Sequence, residues 1–180
     1  MVVRRVGVLA LQGDVREHVA MLARVGAEAV PVRTPADLEG VDALVLPGGE
    51  STTMARLLTT SGLRAPLADR LANSMAAFGT CAGLILLARQ VLDGRHDQWS
   101  FGALDLVVTR NGYGRQIASF ETTLQVSGLG AVPGVFIRAP RIESWASGVE
   151  VMAWHDHGDG ERPVLVREGA VWGACFHPEL

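Results

Sequence analysis

Residues 77–84 read AFGTCAGL, a cysteine between two glycines at the seam of two apolar stretches. Ahead of the seam, "MAAF" (75–78) has the length and composition of a buried strand. Behind it, "CAGLILLARQVL" (81–92) reads as a helix. A strand that turns into a helix at Gly79-Thr80-Cys81-Ala82-Gly83 has the build of the G-x-S-x-G nucleophile elbow, with cysteine in the serine position. The flanking glycines let the backbone through a turn that side chains would obstruct. A thiol at that point meets helix amides that stabilise a thiolate and can receive a developing oxyanion. Taken alone, the motif is equally a small apolar cysteine filling a packed junction.

Working outward, the same strand–helix alternation recurs. "RRVGVLAL" (4–11) is a nearly continuous apolar run, as in a strand covered on both faces. "DVREHVAMLARVG" (14–26) places Val15, Val19, Leu22 and Val25 at helical spacing, with Asp14 able to cap and Gly26 at the stop position. "EAVPV" (28–32) and "VDALVLP" (41–47) follow as strands, then "GGESTTMARLL" (48–58) and "APLADRLANS" (65–74) as helices. This order predicts an α/β fold: an open, mostly parallel sheet with helices on both faces. From about residue 100 the pattern turns to strands with few helices: "LDLVVTR", "ETTLQV", "GVFIRA", "VEVMAWH", "PVLVRE" and "AVWGACFH". These suit antiparallel additions to the same sheet. No repeat, low-complexity segment or linker divides the chain, so residues 1–180 are expected to form a single domain.

Composition narrows the function classes. The 180 residues are 48% hydrophobic and 19% charged, with a formal net charge of −3. There is no run of Lys or Arg, so no electrostatic footprint for nucleic acid or an anionic membrane. Only Val6 to Leu11 follow Arg4-Arg5 before polarity returns, too short for a secretory core. The uncharged span 71–88 is broken by Asn73, Ser74, Gly79, Thr80 and Gly83, which argues against a membrane helix. Two cysteines make no disulfide framework, and a reducing cytoplasm is the expected location.

Ligand sites in such sheets collect at the carboxyl ends of strands, and two further segments fall there. "CFHPEL" (175–180) closes the last strand. Extended geometry would put His177 and Glu179 on one side, and Pro178 disfavours a helical His177. Glu179 could then orient the imidazole, and His177 could take a proton from a thiol. "LPGGEST" (46–52) opens its backbone with two glycines before a helix. It lacks the lysine and spacing of a P-loop. It reads either as a loop with Ser51 or Thr52 as N-cap or as an oxyanion and substrate-backbone site. Arg110 and Arg138 each end a strand and suit a carboxylate clamp. His155-Asp156-His157 has no partner at zinc spacing, and His18 and His96 carry no motif, so no metal is expected.

Together these blocks resemble the class I, triad-type glutamine amidotransferases, and within them the glutaminase subunits of pyridoxal 5′-phosphate synthase, the enzyme of deoxyxylulose-independent vitamin B6 synthesis. The resemblance runs nearly end to end through "GVLALQGDVREH", "LPGGESTTM", "FGTCAGLILLA", "RNGYGRQIASFE", "GVFIRAPRIE" and "FHPEL". It implies a flavodoxin-like fold, Cys81 as nucleophile, His177 as general base and acid, and Glu179 as the orienting carboxylate. It implies glutamine contacts at Gly49, Glu50, Ser51, Arg110, Ile137 and Arg138, and oxyanion donors at the Gly49 and Ala82 amides. Gln12 would face a partner. No cofactor is implied. The partners implied are L-glutamine and a (βα)₈-barrel synthase subunit in a large hetero-oligomer, which joins the ammonia to ribose 5-phosphate and glyceraldehyde 3-phosphate. Two departures stand out: Tyr113 where the family often has Phe, and the absence after Leu180 of the helix with which family members usually continue. Two alternatives stay open: an ammonia-donating glutaminase or γ-glutamyl hydrolase of another pathway, and a non-catalytic regulatory subunit.

Overall fold

In the computed structural model, which describes residues 5–112, 119–158 and 160–180, the first four strands are parallel neighbours. They are β1 (Arg5–Leu9), β2 (Glu28–Val32), β3 (Ala43–Leu46) and β4 (Ala76–Thr80). Helices α1 (Val15–Arg24), α2 (Pro35–Glu39), α3 (Ser51–Thr60) and α4 (Arg64–Ala72) connect them. The short α2 escapes the periodicity reading. Pro35 at its first turn and a reciprocal Thr34–Asp37 capping box start it, and five residues are too few to show a repeat.

After β4 come α5 (Ala82–Leu87), β5 (Ala88–Val91), β6 (Leu104–Thr109), β7 (Ser119–Val126) and β8 (Gly130–Ile137). The last four strands are β9 (Arg141–Trp145), β10 (Glu150–Asp156), β11 (Glu161–Glu168) and β12 (Val171–Ala174). The helix after the elbow is half its expected length. Residues 88–91 are taken up by a parallel pairing with β6, and sheet hydrogen bonds there replace helical ones.

The main sheet runs β10-β11-β12-β4-β3-β1-β2. β2, β1, β3, β4 and β12 are parallel, and β11 and β10 add antiparallel on the β12 side. This is the flavodoxin-like order, with the last parallel strand supplied from the end of the chain. Of the second-half strands, only β10, β11 and β12 join this sheet. β5-β6-β9 and the β7–β8 hairpin form two smaller sheets, a division that apolar patterning does not encode.

The order β2-β1-β3 means the chain leaves β1 in one direction and returns on its other side, which opens a crevice at the carboxyl ends of β1 and β3. The loops after β1, β3, β4 and β12 meet there. Helix α5 is buried on every side, as a helix apolar all round must be. Its Leu84 fits against Gly173 of β12, where a Cβ would collide with it. Leu84, Leu86, Leu58 and Phe136 are at most 1% exposed and belong to one continuous core cluster. Each such side chain contributes roughly 1.5–3 kcal/mol by leaving water.

Candidate active site

The β4–α5 turn is built by close backbone approach. A Cβ on Gly83 would collide with the Leu46 carbonyl of β3, and one on Gly79 with the Gly83 backbone. Cys81 between them adopts φ 49°, ψ −103°, a conformation side-chain-bearing residues avoid. Its N–H donates to the Ala174 carbonyl of β12 (2.9 Å), and its carbonyl accepts from the Ile85 N–H (3.2 Å). Pinned from both sides, the residue holds a backbone strain of about 1–3 kcal/mol and aims its thiol into a cavity.

His177 arrives from the end of the chain, though not on an extended strand. β12 stops at Ala174; an isolated antiparallel bridge to Val135 then holds His177, whose N–H donates to the Val135 carbonyl (2.8 Å). Residues 178–179 form a turn, so period-2 geometry is not what joins His177 to Glu179. The turn folds Glu179 back, and Nδ1 of His177 lies 2.9 Å from its Oε1. Both residues are buried. Gly48 forms the floor under the ring, since a Cβ there would fall on the imidazole Cε1 and Nδ1 and on Asp14 Oδ2.

With Nδ1 committed to Glu179, Nε2 is left for Cys81. Burial pushes the His177 imidazole down, but its hydrogen bonds with Cys81 and Glu179 override that and lift it to about 10. Burial likewise pushes Glu179 up, and hydrogen bonds from His177 and His18 override it, leaving the carboxyl at about 2. The pair is thus biased towards imidazolium and carboxylate.

The cavity in front of Cys81 and His177 has a volume of about 470 Å³, within the range of small-molecule sites. Gln12, Gly49, Glu50, Ser51, Arg110, Ile137 and Arg138 all line it; Ala82 and Glu179 stand behind its wall. Glu50, rather than Ser51 or Thr52, is the N-cap of α3. Its carboxylate accepts from the Thr52 N–H (3.1 Å), the Thr53 N–H (2.7 Å) and the Arg110 guanidinium (2.8 Å). Although partial burial raises it, the Thr53, Thr52 and Arg110 contacts hold the Glu50 carboxyl at about 2. The Glu50 N–H donates to Gln12 Oε1 (2.8 Å), which ties the first loop to the glycine loop. Ser51 Oγ is buried and makes no hydrogen bond among the described residues. Asp93 accepts from the Arg110 N–H (2.6 Å) and holds that strand end in place. Tyr113 lies outside the described residues.

A family model described as the SNO glutamine amidotransferase family matches residues 8–180 of this sequence. The chain belongs to that family. Among curated proteins, this amidotransferase is 52% identical over 178 residues to the "Pyridoxal 5′-phosphate synthase subunit PdxT" of Salinispora tropica, covering 97% of the chain and 89% of the relative. It is 54% identical over 179 residues to the protein of the same name from Acidothermus cellulolyticus, covering 98% of the chain and 86% of the relative. A crystal structure of a glutamine amidotransferase superposes with a TM-score of 0.89 at 48% identity, over 97% of this chain and 90% of that one.

Three residues of this amidotransferase reach the site without having been singled out for it. Gly48 is the floor described above. Asp14 does not cap α1 through its side chain; its Oδ2 lies 3.3 Å from His177 Nδ1 instead. Burial raises the Asp14 carboxyl, and Glu179 adds to the rise while His177 opposes it. His18, one turn further on, lies 3.2 Å from Glu179 Oε1. The spacing Asp14-x-x-x-His18 was the signal, since i and i+4 share a helix face. Asp14, His177 and Glu179 also form a group with potential metal-ligand atoms within 4.8 Å of one another. His155 and His157 pack with Phe120 and Phe136 in an aromatic cluster. Among the described residues, no helix is long and apolar enough to cross a membrane.

Proposed function

We propose that the chain is a single glutaminase domain, which hydrolyses L-glutamine to L-glutamate and ammonia through Cys81, His177 and Glu179. The ammonia goes to a pyridoxal 5′-phosphate synthase subunit of the (βα)₈-barrel type, in a hetero-oligomer in the cytoplasm. The observation that carries the reading is the convergence of a strained cysteine and a buried His–Glu pair on one cavity.

Cys81 Sγ attacks the side-chain amide carbon of glutamine, and the carbonyl electrons move onto oxygen. The Gly49 and Ala82 amides receive that oxyanion, Ala82 from the first turn of the helix behind the nucleophile. His177 passes the proton of the thiol to the departing nitrogen; the C–N bond breaks, leaving ammonia and a γ-glutamyl thioester. His177 then takes a proton from water as the oxygen attacks the thioester carbon. The C–S bond breaks, glutamate leaves and the thiol is restored. Glu179 keeps the imidazole oriented and stabilises its charge in both half-reactions.

Substrate selection follows from the cavity wall. Arg110 and Arg138 attract the α-carboxylate, and Glu50, ionised well below neutral pH, attracts the α-ammonium. Ser51 Oγ and the Ile137 backbone complete the contacts. Gln12 Oε1 holds the Glu50 N–H and so sets the orientation of the Gly49–Glu50 segment. A synthase subunit docked on the first loop therefore acts on the oxyanion site directly. The relatives at 52–54% identity, named as synthase subunits, support this partner over that of another pathway.

The deciding experiment measures glutamate release with and without a pyridoxal 5′-phosphate synthase barrel subunit, using Cys81→Ala as control. Stimulation by the subunit and loss of activity in the variant are expected. Equal turnover with and without the subunit would remove the docking mechanism, and turnover in Cys81→Ala would remove the chemistry.

A further inference from the structure

The imidazole of His177 stands between two carboxylates, and that creates a choice the three reacting residues do not settle. Nδ1 is 2.9 Å from Glu179 Oε1 and 3.3 Å from Asp14 Oδ2. A small rotation of the ring would exchange one partner for the other. Glu179 is attached to a two-residue turn near the end of the described chain, and its Oε2 is buried with no hydrogen bond among the described residues. A buried carboxylate held by one donor alone tends to shift or lose its charge.

The second donor comes from α1. His18 is 4% exposed, and its Nε2 lies 3.2 Å from Glu179 Oε1 and 3.1 Å from Thr80 Oγ1. A bare ring nitrogen at 3.2 Å would oppose its lone pair to that of the carboxylate, so Nε2 must carry the proton. One N–H then serves the carboxylate and the Thr80 hydroxyl, the residue just before Cys81. Asp14 and His18 share one face of the first turn, joined by the hydrogen bond from the His18 N–H to the Asp14 carbonyl (3.3 Å). The turn itself is tied to the glycine loop, for the Asp14 N–H donates to the Gly48 carbonyl (3.1 Å).

We propose that His18 is a positioning residue for the glutaminase reaction: its Nε2–H pins Glu179 Oε1, so that His177 Nδ1 engages Glu179 rather than Asp14 and Nε2 stays aimed at Cys81. This rests on the function proposed above. Without His18, Glu179 loses a donor to its buried charge, its pull on Nδ1 weakens, and Asp14 competes for the ring. The ionisable groups facing the pair are His18, Asp14 and Glu17 of the α1 region and Cys81 at the end of β4.

The test uses the full chain with its synthase partner and two substitutions. In His18→Gln the amide nitrogen reaches the place of Nε2; in His18→Asn it falls short. His18→Gln should keep kcat within about threefold of wild type. His18→Asn should lose about 10- to 100-fold in kcat, the scale of a catalytic group moved by an ångström, with KM nearly unchanged. Ring NMR should show the His177 titration midpoint falling in His18→Asn and recovering in His18→Gln, which a merely structural role would not produce. In wild type, ¹⁵N shifts should show the His18 proton on Nε2 at neutral pH.

A folded His18→Asn protein with wild-type kcat and an unmoved His177 titration overturns the proposal. So does a His18 protonated on Nδ1 alone, which decides the matter even where a variant fails to fold. If wild type with its partner leaves glutamine intact, the proposed function fails; the NMR comparison still decides whether His18 holds the pair.

Discussion

Cys81 and Cys175 follow neighbouring strands of one sheet, β4 and β12, and both are buried free thiols. Their surroundings differ completely. Cys175 is fully enclosed, with its sulfur 3.9 Å from the Pro163 carbonyl, and burial pushes its thiol far above the ordinary cysteine range. Cys81 sits on a left-handed backbone at the cavity wall, which it lines together with the His177 imidazole. Residue type is the same; enclosure, backbone conformation and the neighbouring imidazole differ, and these are the features that set a thiol's reactivity.

The largest test of that contrast is Cys81→Ala, which should reduce glutamine hydrolysis by at least about 1,000-fold in a steady-state assay, as loss of a nucleophile does. Next is Gly48→Ala. Its backbone is compatible with alanine, but the new methyl would displace the His177 ring. A loss of about 100-fold in kcat is expected, with the fold intact by circular dichroism.

Glu179→Gln should act on the pH dependence of stability. The Glu179 carboxyl lies at about 2 in the fold against 4.5 unperturbed. Its contribution is therefore complete above pH 4.5 and lost as pH falls towards 2. The urea midpoint of wild type should fall across that window more steeply than that of Glu179→Gln. His177, raised from 6.5 to about 10, contributes stability that is complete below pH 6.5 and lost as pH rises through 10. Substitution of Glu179 should shift that alkaline loss to lower pH.

The smallest effect belongs to Cys175→Ala, which should cost about 1 kcal/mol by denaturant unfolding and leave kcat unchanged. Iodoacetamide should modify Cys81 and spare Cys175 in the folded chain. Modification of Cys175 at a comparable rate would erase the distinction.

How much of this was legible in advance depended on range. The G-x-C-x-G elbow was readable because its requirement is local: two glycines where backbone must approach backbone. His177 and Glu179 come together, yet not through the extended geometry their spacing suggests, because β12 ends at Ala174 and a turn over residues 178–179 folds the carboxylate back. The place of Asp14 before a helix predicts a cap. Its carboxylate turns instead towards an imidazole that arrives from the far end of the chain. General preference offers Ser51 or Thr52 as a cap in one of the two readings of the glycine loop, whereas Glu50 takes the role by accepting from the Thr52 and Thr53 amides. The second half reads as strands added to the same sheet; strands form there, but β5-β6-β9 and the β7–β8 hairpin stand apart as two further sheets.

What the sequence determined by itself was therefore most of the strands and helices and the residue types offered to the site, since apolar period, glycine placement and residue chemistry act over a few neighbours. The tertiary structure alone decided which carboxylate faces which nitrogen and which strand ends meet. Those distances are set by the strand order and by pairings between segments far apart in the chain, and no local pattern carries them.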